Sequence, residues 1–424
     1  MNDPARNLRE LSCADDYDPN SMPVGKAREL IARFLAPVTT TERLGVRAAL
    51  GGVLAEDVVS PLNVPAHDNS AMDGYAVRFA DLKGDGDVSL KMEGTSFAGV
   101  PFQGAVKSGE CVRIMTGGVM PGGTDTIVMQ EHVKAEGDKI AIGKGHKKGQ
   151  HLRRAGEDLA TGQVALKRGI ALRPADIGLI SSLGIGEVTV YRKLRVAFFS
   201  TGDELVSIGT QPKEGQIFDS NRYTLHGMLT RLGCEVLDMG VVRDDPALLE
   251  MAFKDAAAAA DVVITSGGVS VGEADFVKAL LDKLGEVVFW KIAMKPGRPL
   301  AYGKIGHAHF FGLPGNPVAV MVTFYQFVRD ALLRLSGLDP VPLIPTFKVP
   351  CVSSLKKAPG RTEFQRGVLE RDSHGTWSVR VTGEQGSGIL KSMSDANCFI
   401  VLGDDVGNVA AGAMVDVQLL EGMV

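Results

Sequence analysis

Glycines and acids stand side by side in the segment ITSGGVSVGEADF, residues 264–276. Gly267 and Gly268 allow backbone N–H groups to approach an anion, and the helix predicted to follow points its positive end the same way. Glu273 and Asp275 would repel a phosphate by themselves. A hard divalent cation removes this conflict, because Mg²⁺ binds one or two carboxylates together with phosphate oxygens. The segment therefore predicts a site for a metal ion paired with a phosphate.

Comparable polar segments follow the other buried strands that the sequence predicts between residues 194 and 313. Continuous apolar runs such as RVAFFS alternate here with helical periodicity, which indicates parallel strands buried on both faces. Ligands bind beyond the carboxyl ends of such strands, so the residues that follow them are expected at one rim. The candidates at this rim are Glu204, Asp244, Ser266, Gly267, Gly268, Asp275, Lys295, Arg298 and Asn316. Lys295 and Arg298 supply the positive charge that attracts an anion.

Each of these segments also has a purely structural explanation. Two glycines after a strand are often only a tight turn, and residues 201–204 (TGDE) suit a helix cap with a solvated acid. Asp244, Asp245 and Pro246 resemble the start of a helix, where acids interact favourably with the helix dipole. Their convergence on one predicted rim favours a binding site over a set of unrelated turns.

The periodicity predicts a multidomain protein of α/β plus β class. A doubly wound parallel α/β sheet domain is expected after β-rich N-terminal domains, and a small β-barrel-like domain is expected at the C-terminus. The predicted units are a mobile arm at residues 1–20, an elongated discontinuous domain at 21–60 and 151–190, a β-rich insert at 61–150, an α/β domain at 191–338 and a C-terminal β domain at 339–424.

Composition narrows the classes of partner and the compartment. The net charge of −4 on 424 residues predicts neither nucleic acid nor an anionic membrane as a main partner. The five cysteines have no zinc-site spacing, which indicates a reducing compartment. The N-terminus lacks the apolar core of a signal peptide, and Pro314 and Pro317 interrupt the most apolar window, residues 308–328. We therefore expect a cytoplasmic protein that does not enter a membrane.

A set of motifs identifies a family. DNSAMDGYA at residues 68–76, followed in order by RIMTGG, GED, FSTGDEL, TSGGVSVGEADF, KPGRP and GLPGNPV, closely resembles the molybdopterin molybdenumtransferases, which are the bacterial MoeA proteins and the E domain of gephyrin. The resemblance extends from about residue 22 to the end of the chain and includes PGRTEFQRG and the GSG at 386–388.

The resemblance implies that molybdate is inserted into adenylylated molybdopterin, which gives molybdenum cofactor and AMP. It also implies Mg²⁺ and a homodimer whose cleft is shared between subunits, with a molybdopterin adenylyltransferase and molybdoenzyme acceptors as further partners. The catalytic residues carried over are Asp73, Thr116, Asp158, Glu204, Asp244 and Asp275. Of these, Glu204, Asp244 and Asp275 are assigned to the metal, and the other three are expected to close the site from the second subunit. Arg366 and Ser387 are further candidates for binding oxyanions.

Two alternative functions follow from the same motifs. A molybdopterin adenylyltransferase would need only the α/β domain, which leaves the first 190 residues unexplained. A gephyrin-like scaffold would bind a partner protein without catalysis, but such a protein has no need of six polar residues in loops. Insertion of molybdate is therefore the favoured function.

Overall fold

The computed structural model describes residues 21–83, 86–268 and 274–420, without the side chains of residues 274–276 and 289. The predicted arm at 1–20 and residues 269–273 of the glycine- and acid-rich segment lie outside the described residues. No helix in the described ranges is long and apolar enough to cross a membrane.

The described residues form short helices and many strands. The α-helices are Val24–Ala32, Pro174–Ser182, Ser220–Arg231, Pro246–Ala259, Ala274–Leu284, Pro317–Thr323, Arg329–Leu335 and Lys391–Asp395, with a π-helical turn at Phe324–Val328 and 3-10 turns at Phe79–Leu82 and Gln130–His132. The strands are Thr41–Gly45, Val58–Val59, Asn69–Ser70, Gly74–Val77, Val88–Ser96, Glu110–Ile114, Thr126–Met129, Val133–Glu136, Lys139–Ile142, Leu152–Arg153, Val164–Leu166, Glu187–Tyr191, Arg195–Thr201, Leu205–Val206, Ile217–Phe218, Glu235–Val242, Val262–Ser266, Gly285–Lys291, Met294–Lys295, Pro299–Ile305, Ala308–Leu313, Thr346–Pro350, Thr362–Arg371, Trp377–Val381, Cys398–Leu402 and Met414–Leu419.

The sheet that carries the predicted rim has six strands. Their order is Glu235–Val242, Arg195–Thr201, Val262–Ser266, Ala308–Leu313, Pro299–Ile305 and Gly285–Lys291. The first four are parallel, Pro299–Ile305 is antiparallel to both of its neighbours, and Gly285–Lys291 therefore runs in the same direction as the first four. The sheet is therefore mixed, whereas the sequence predicts a parallel sheet. The reason is a hairpin: only two residues, with Gly306 at φ 59°, join Pro299–Ile305 to Ala308–Leu313, and so short a connection requires antiparallel strands.

Both faces of this sheet are buried, which is why its central strands are continuously apolar. Phe198 packs in the cluster that includes Leu225 of helix Ser220–Arg231. The next residue, Phe199, points to the opposite face and meets Phe253 at a ring-centroid distance of 5.2 Å. Successive residues of one strand therefore reach the cores on opposite faces of the sheet.

The N-terminal half contains segments that are distant in sequence but paired in space. Thr41–Gly45 pairs with Glu187–Tyr191, and Val58–Val59 pairs with Val164–Leu166. A second six-stranded sheet between them has the order Thr126–Met129, Gly74–Val77, Glu110–Ile114, Val88–Ser96, Lys139–Ile142 and Val133–Glu136. All six of its strands come from residues within the predicted insert. The domain boundaries themselves stay predictions.

The C-terminal sheet reaches back to the central region through one short strand. Its order is Met294–Lys295, Thr362–Arg371, Cys398–Leu402, Met414–Leu419 and Thr346–Pro350, with Trp377–Val381 paired to Thr362–Arg371. Met294–Lys295 runs parallel to the start of Thr362–Arg371, so that Lys295 lies in register with Glu363. This pairing attaches the C-terminal residues to the rim of the α/β sheet.

Asp261 directly precedes the central strand Val262–Ser266, and its substitution should lower the free energy of unfolding. It accepts hydrogen bonds of 2.7 Å from both terminal nitrogens of Arg192 and one of 2.8 Å from the Arg195 backbone N–H. Burial alone would raise the pKa of Asp261, but these hydrogen bonds outweigh it and the net pKa is lowered. We expect Asp261→Asn to reduce the free energy of unfolding at pH 7 by about 1–3 kcal/mol, because hydrogen bonds to a charged group are lost.

The pH dependence gives a check on this assignment. A lowered pKa stabilises the protein above the unfolded value, near 3.9, and the stabilisation is lost as the pH falls through the folded value. The difference between wild type and Asp261→Asn in urea midpoints should therefore shrink as the pH falls below about 4. Glu235→Gln is the control, because the Glu235–Arg195 pair is half exposed on both sides. Equal effects of the two substitutions at pH 7 would contradict the prediction.

Candidate active site

A cleft of about 840 Å³ opens at the carboxyl ends of the parallel strands. Its volume is in the range of sites for drug-sized ligands. It is lined by Thr201, Gly202, Glu204, Leu205, Ile217, Phe218, Asp219, Ser220, Asn221, Asp244, Ser266, Gly267, Gly268, Lys295, Pro296, Gly297, Pro299, Pro314, Gly315, Asn316, Pro317, Ala319, Gln385, Gly386, Ser387, Gly388 and Leu390. Residues 385–388 belong to the C-terminal region, so the cleft lies between the α/β sheet and that region.

Most of the rim residues expected from the sequence lie together on this cleft. They are Glu204, Asp244, Ser266, Gly267, Gly268, Lys295 and Asn316, and Ser387 joins them from the C-terminal region. Arg298 is exposed and does not line the cleft. Asp275 lies in the first turn of helix Ala274–Leu284, and its side chain is outside the described part of the chain. The structure shows where these residues lie, and their roles stay predictions.

Close packing excludes a side chain at Gly267, and positive φ angles favour glycine at both 267 and 268. Gly267 has φ 93°, and a Cβ added to it would lie 2.5 Å from the carbonyl oxygen of Thr201. Gly268 has φ 68°, and a Cβ there would lie 3.0 Å from the Thr201 hydroxyl. The backbone N–H of Gly267 donates to the Leu313 carbonyl at 3.1 Å. This N–H group therefore links the ends of two neighbouring strands and is not available as the anion donor that the sequence suggests.

The two acidic loops of the rim contact each other. The Glu204 carboxylate folds back over Gly202, whose φ of 146° and missing side chain leave room for it: an added Cβ would lie 2.5 Å from Glu204 Oε2. The backbone N–H of Asp244 donates to Asp203 Oδ1 at 3.4 Å. Asp245 caps helix Pro246–Ala259 through the backbone N–H groups of its first turn. Asp245 is therefore the residue that caps the helix, whereas its neighbour Asp244 lines the cleft.

Asn221 joins three of the rim segments, and the sequence does not single it out. It is 7% exposed, and its Nδ2 donates at 2.7 Å to both the Ser266 hydroxyl and the Gly315 carbonyl. The Ser266 hydroxyl is therefore engaged by a neighbouring side chain. Asp219, which is 2% exposed, caps the same helix by accepting from the Arg222 N–H at 3.2 Å. In the sequence, DSNR looks only like a helix start, so no signal distinguishes these two residues.

Lys295 is the one lysine or arginine among the described residues that line the cleft. Its side chain is 52% exposed, and its Nζ lies 3.5 Å from Glu363 Oε1. The turn that follows it is fixed at Gly297, where φ is 95° and an added Cβ would lie 2.5 Å from the Thr323 hydroxyl. Neither Glu363 nor Thr323 is a site candidate in the sequence, because both come from segments with ordinary strand or helix character.

Arg366 is not on the surface of the cleft. It is 1% exposed, and burial lowers its pKa to about 10. Its guanidinium donates to the Gly386 carbonyl at 2.9 Å and to the Ser392 hydroxyl at 3.0 Å. Arg366 therefore supports the loop that presents Ser387, and the predicted direct contact with an oxyanion is not supported by its placement. Because arginine is rarely fully buried, the sequence favours an exposed Arg366 that binds a ligand.

The candidates in the N-terminal half form a separate group. Asp73 Oδ1 accepts from the backbone N–H of Thr116 at 2.7 Å and from its hydroxyl at 2.8 Å. These hydrogen bonds lower the pKa of Asp73, so that its carboxylate is charged at neutral pH. Neighbouring strands explain this contact, because Gly74 pairs with Ile114. Asp158 is exposed, and Asp73, Thr116 and Asp158 do not line the cleft of their own chain.

The metal site expected from the sequence is only partly described. Among the described residues, no three His, Cys, Asp or Glu side chains come together as a metal site. Glu204 and Asp244 both line the cleft. Two carboxylates facing a polar cleft fit Mg²⁺, which takes one or two carboxylates and completes its shell with water or phosphate oxygens.

Three family descriptions match successive parts of the chain. They are the MoeA N-terminal region (domain I and II) at residues 22–184, a probable molybdopterin binding domain at 197–334 and the MoeA C-terminal region (domain IV) at 348–420. A molybdopterin molybdenumtransferase of Haemophilus influenzae is 48% identical over 394 residues, which is 93% of this chain and 97% of the relative. The chain belongs to the molybdopterin molybdenumtransferase (MoeA) family.

Further relatives agree with membership of the MoeA family. A molybdopterin molybdenumtransferase of Nostoc is 40% identical over 305 residues, 70% of each chain. The crystal structure of a molybdopterin biosynthesis MoeA protein from Pyrococcus horikoshii superimposes with a TM-score of 0.82 at 30% identity, covering 94% of this chain and all of the other. MoeA-family proteins are enzymes of molybdenum cofactor biosynthesis, so neither the adenylyltransferase nor the scaffold alternative is favoured.

Asn221 offers a direct test of how the rim is held together. Asn221→Asp keeps the shape of the side chain but removes both N–H donors, so the Gly315 carbonyl loses its partner. We expect the free energy of unfolding to fall by about 1–3 kcal/mol. Hydrogen exchange at residues 312–316 should become faster.

Asn316→Asp is the matched control, because its side chain makes no cap hydrogen bond and it is exposed. This variant should keep the wild-type midpoint. An Asn221→Asp protein with unchanged stability and exchange would show that the two hydrogen bonds do not hold the rim.

Proposed function

We propose that this protein inserts molybdate into adenylylated molybdopterin and releases AMP, giving molybdenum cofactor. The observation that supports this most directly is the cleft, in which Lys295, Glu204 and Asp244 share one rim. The substrate of this reaction carries a pyrophosphate. Lys295 can bind its anionic oxygens directly, and Glu204 and Asp244 can bind them through a metal ion. Family membership agrees with this chemistry.

The thiolates that take molybdenum belong to the substrate. No cysteine within the described ranges lines the cleft. Burial raises the pKa of Cys111, Cys234 and Cys398 to about 12, so these thiols stay protonated at neutral pH. In this proposal the two dithiolene sulfurs of the pterin replace oxygens of molybdate, which leave with protons as water. A water molecule attacks the pyrophosphate, so that AMP departs and the other phosphate stays on the pterin.

The residues of the chain bind and orient the reacting groups. Lys295 holds an anionic oxygen of the substrate, and Glu204 and Asp244 would hold Mg²⁺ together with Asp275. When bound, Mg²⁺ supplies positive charge next to the phosphates. Ser387, from the C-terminal region, and Asn316, from the rim of the α/β sheet, also contact the substrate. Lys295 and the loop that presents Ser387 are held by contacts within the protein before binding, which favours stabilisation of charge in the transition state.

The cleft is completed by a second copy of the chain in a homodimer. Asp73, Thr116 and Asp158 fit the same reaction but do not line the cleft of their own chain. Exposed apolar side chains lie on both candidate surfaces: Met72 and Phe97 in the insert, and Ile217 and Phe218 at the cleft. In a two-fold dimer, the insert of each subunit meets the cleft of the other. The same contact is therefore formed twice, and it covers the apolar side chains of both surfaces.

The finer architecture and the cellular setting belong to the same proposal. Helices on both faces of the mixed sheet support a doubly wound arrangement at residues 191–338. A bridge between Cys351 and Val379 supports closure of the C-terminal sheet, residues 339–424, into a barrel-like form. The protein would act in the cytoplasm, between the adenylyltransferase that makes its substrate and the molybdoenzymes that receive its product.

Release of AMP tests the function directly. Purified protein incubated with adenylylated molybdopterin, Mg²⁺ and molybdate should release AMP in proportion to the cofactor formed. The control omits molybdate and supplies ATP with molybdopterin instead. Adenylylation of molybdopterin from ATP, without molybdate-dependent release of AMP, would overturn the proposal in favour of an adenylyltransferase.

Subunit mixing tests the shared cleft. Asp73→Asn and Glu204→Gln should each be nearly inactive as homodimers, because each removes a charged group from both clefts. In a mixed dimer one cleft has both residues intact and the other has neither. Random exchange of equal amounts makes half of the dimers mixed, so activity should recover to about a quarter of wild type.

Exchange has to be followed independently, with differently tagged chains. If mixed dimers form and activity does not recover, each cleft is built by a single subunit. Mixing Glu204→Gln with Asp244→Asn is the control, because both residues lie on the same cleft of one chain. That mixture should stay inactive.

A further inference from the structure

Lys295 and Glu363 form an ion pair with unequal surroundings. The lysine side chain is 52% exposed and lines the cleft, whereas the glutamate side chain is 7% exposed. Glu363 does not line the cleft. An ordinary surface ion pair exposes both partners and contributes little to stability. Here a buried carboxylate contacts a lysine that is exposed to the cleft. This difference indicates that the pair has a role in binding at the cleft.

The glutamate is fixed in place by its own neighbours. Its backbone is in register with Lys295 between paired parallel strands, and the backbone N–H of Thr362 donates to the Ala293 carbonyl at 2.9 Å. Its second oxygen, Oε2, accepts from Gln365 Nε2 at 3.0 Å. Gln365 in turn donates to the Lys356 carbonyl at 3.3 Å. Both oxygens of Glu363 are therefore engaged, one by a rigid partner and one by Lys295.

The lysine would otherwise be mobile. A lysine side chain carries about 2 kcal/mol of rotamer entropy, and an exposed one samples many positions. The ammonium group has three N–H donors, so one donor to Glu363 leaves two for a ligand. Holding the ammonium group in place before binding reduces the ordering cost of the complex.

We propose that Glu363 is a positioning residue that aims the Lys295 ammonium group at an anionic oxygen of the substrate. The inference rests on the proposed function, because it takes the pyrophosphate of adenylylated molybdopterin as that anion. Glu363 touches no reacting atom and acts only through Lys295. Strand Thr362–Arg371 of the C-terminal sheet thereby sets the position of a charge on the segment that follows strand Gly285–Lys291 of the α/β sheet.

A double-mutant cycle tests this inference. The four proteins are wild type, Glu363→Gln, Lys295→Met and the double variant. Glu363→Gln keeps the shape of the side chain and removes its charge. We expect it to lower both the affinity for adenylylated molybdopterin, measured by calorimetry, and kcat/KM for AMP release by about tenfold. In the Lys295→Met background the same substitution should have no further effect on either quantity.

Glu370→Gln is the matched control for charge and strand. Glu370 lies on the same strand, Thr362–Arg371, and its ion pair with Arg380 is about half exposed on both sides. Its substitution should leave affinity and kcat/KM unchanged. The melting temperature of every variant shows whether it is folded.

The possible results separate the positioning role from the proposed function. Wild-type behaviour of Glu363→Gln would overturn the inference. An equal loss in both backgrounds would also overturn it, because Glu363 would then act through structure and not through Lys295. If Lys295→Met had no effect while wild type releases AMP, the inference fails and the function stands. If wild type releases no AMP, the function fails, and the calorimetric cycle alone decides whether the two residues are coupled in binding.

Discussion

Parallel pairing of four strands is the constraint on which the cleft depends. Because Arg195–Thr201, Val262–Ser266 and Ala308–Leu313 run in the same direction, their carboxyl ends meet at one edge. The loops that leave these ends are therefore packed closely against each other. Gly267 and Gly268 make this close approach possible, because an added Cβ would collide with the Thr201 carbonyl at 267 and both residues have positive φ angles. Asn221 completes the arrangement by bonding to two of the loops at once.

The cleft is also a product of the C-terminal region. A strand of only two residues, Met294–Lys295, pairs with Thr362–Arg371 and so fixes the distance between the two sheets. Buried Arg366 then holds the loop at 384–386, and Val318 donates to the Ser387 carbonyl at 3.1 Å from the facing helix. The loop of the C-terminal region that lines the cleft is therefore held by hydrogen bonds within the protein. A site whose polar groups are held in this way binds a charged substrate with little rearrangement.

The sequence predicts the parts of the site that follow from strand order. Glu204, Asp244 and Lys295 are found on the cleft because each follows a recognisable strand, and residues at such ends converge. Asn221, Glu363 and the supporting role of Arg366 are missed, because their function depends on partners far away in the sequence. The strand Pro299–Ile305 is missed because a proline begins it and a glycine lies within it. Local pattern indicates elements and their ends, whereas tertiary contacts decide which polar residues are buried.

The separation of Asp73 and Thr116 from the cleft has an energetic reason. Their hydrogen bonds keep Asp73 ionised and in a fixed orientation while it remains exposed. A charged carboxylate placed permanently beside Glu204 and Asp244 in one chain would add a third negative charge to a cleft that binds an anion. In the homodimer proposed above, the insert of one subunit would bring the charge of Asp73 to the cleft of the other. Bound Mg²⁺ would then offset the repulsion between Asp73 and the carboxylates of the rim, so like-charge repulsion makes the proposed site depend on the metal.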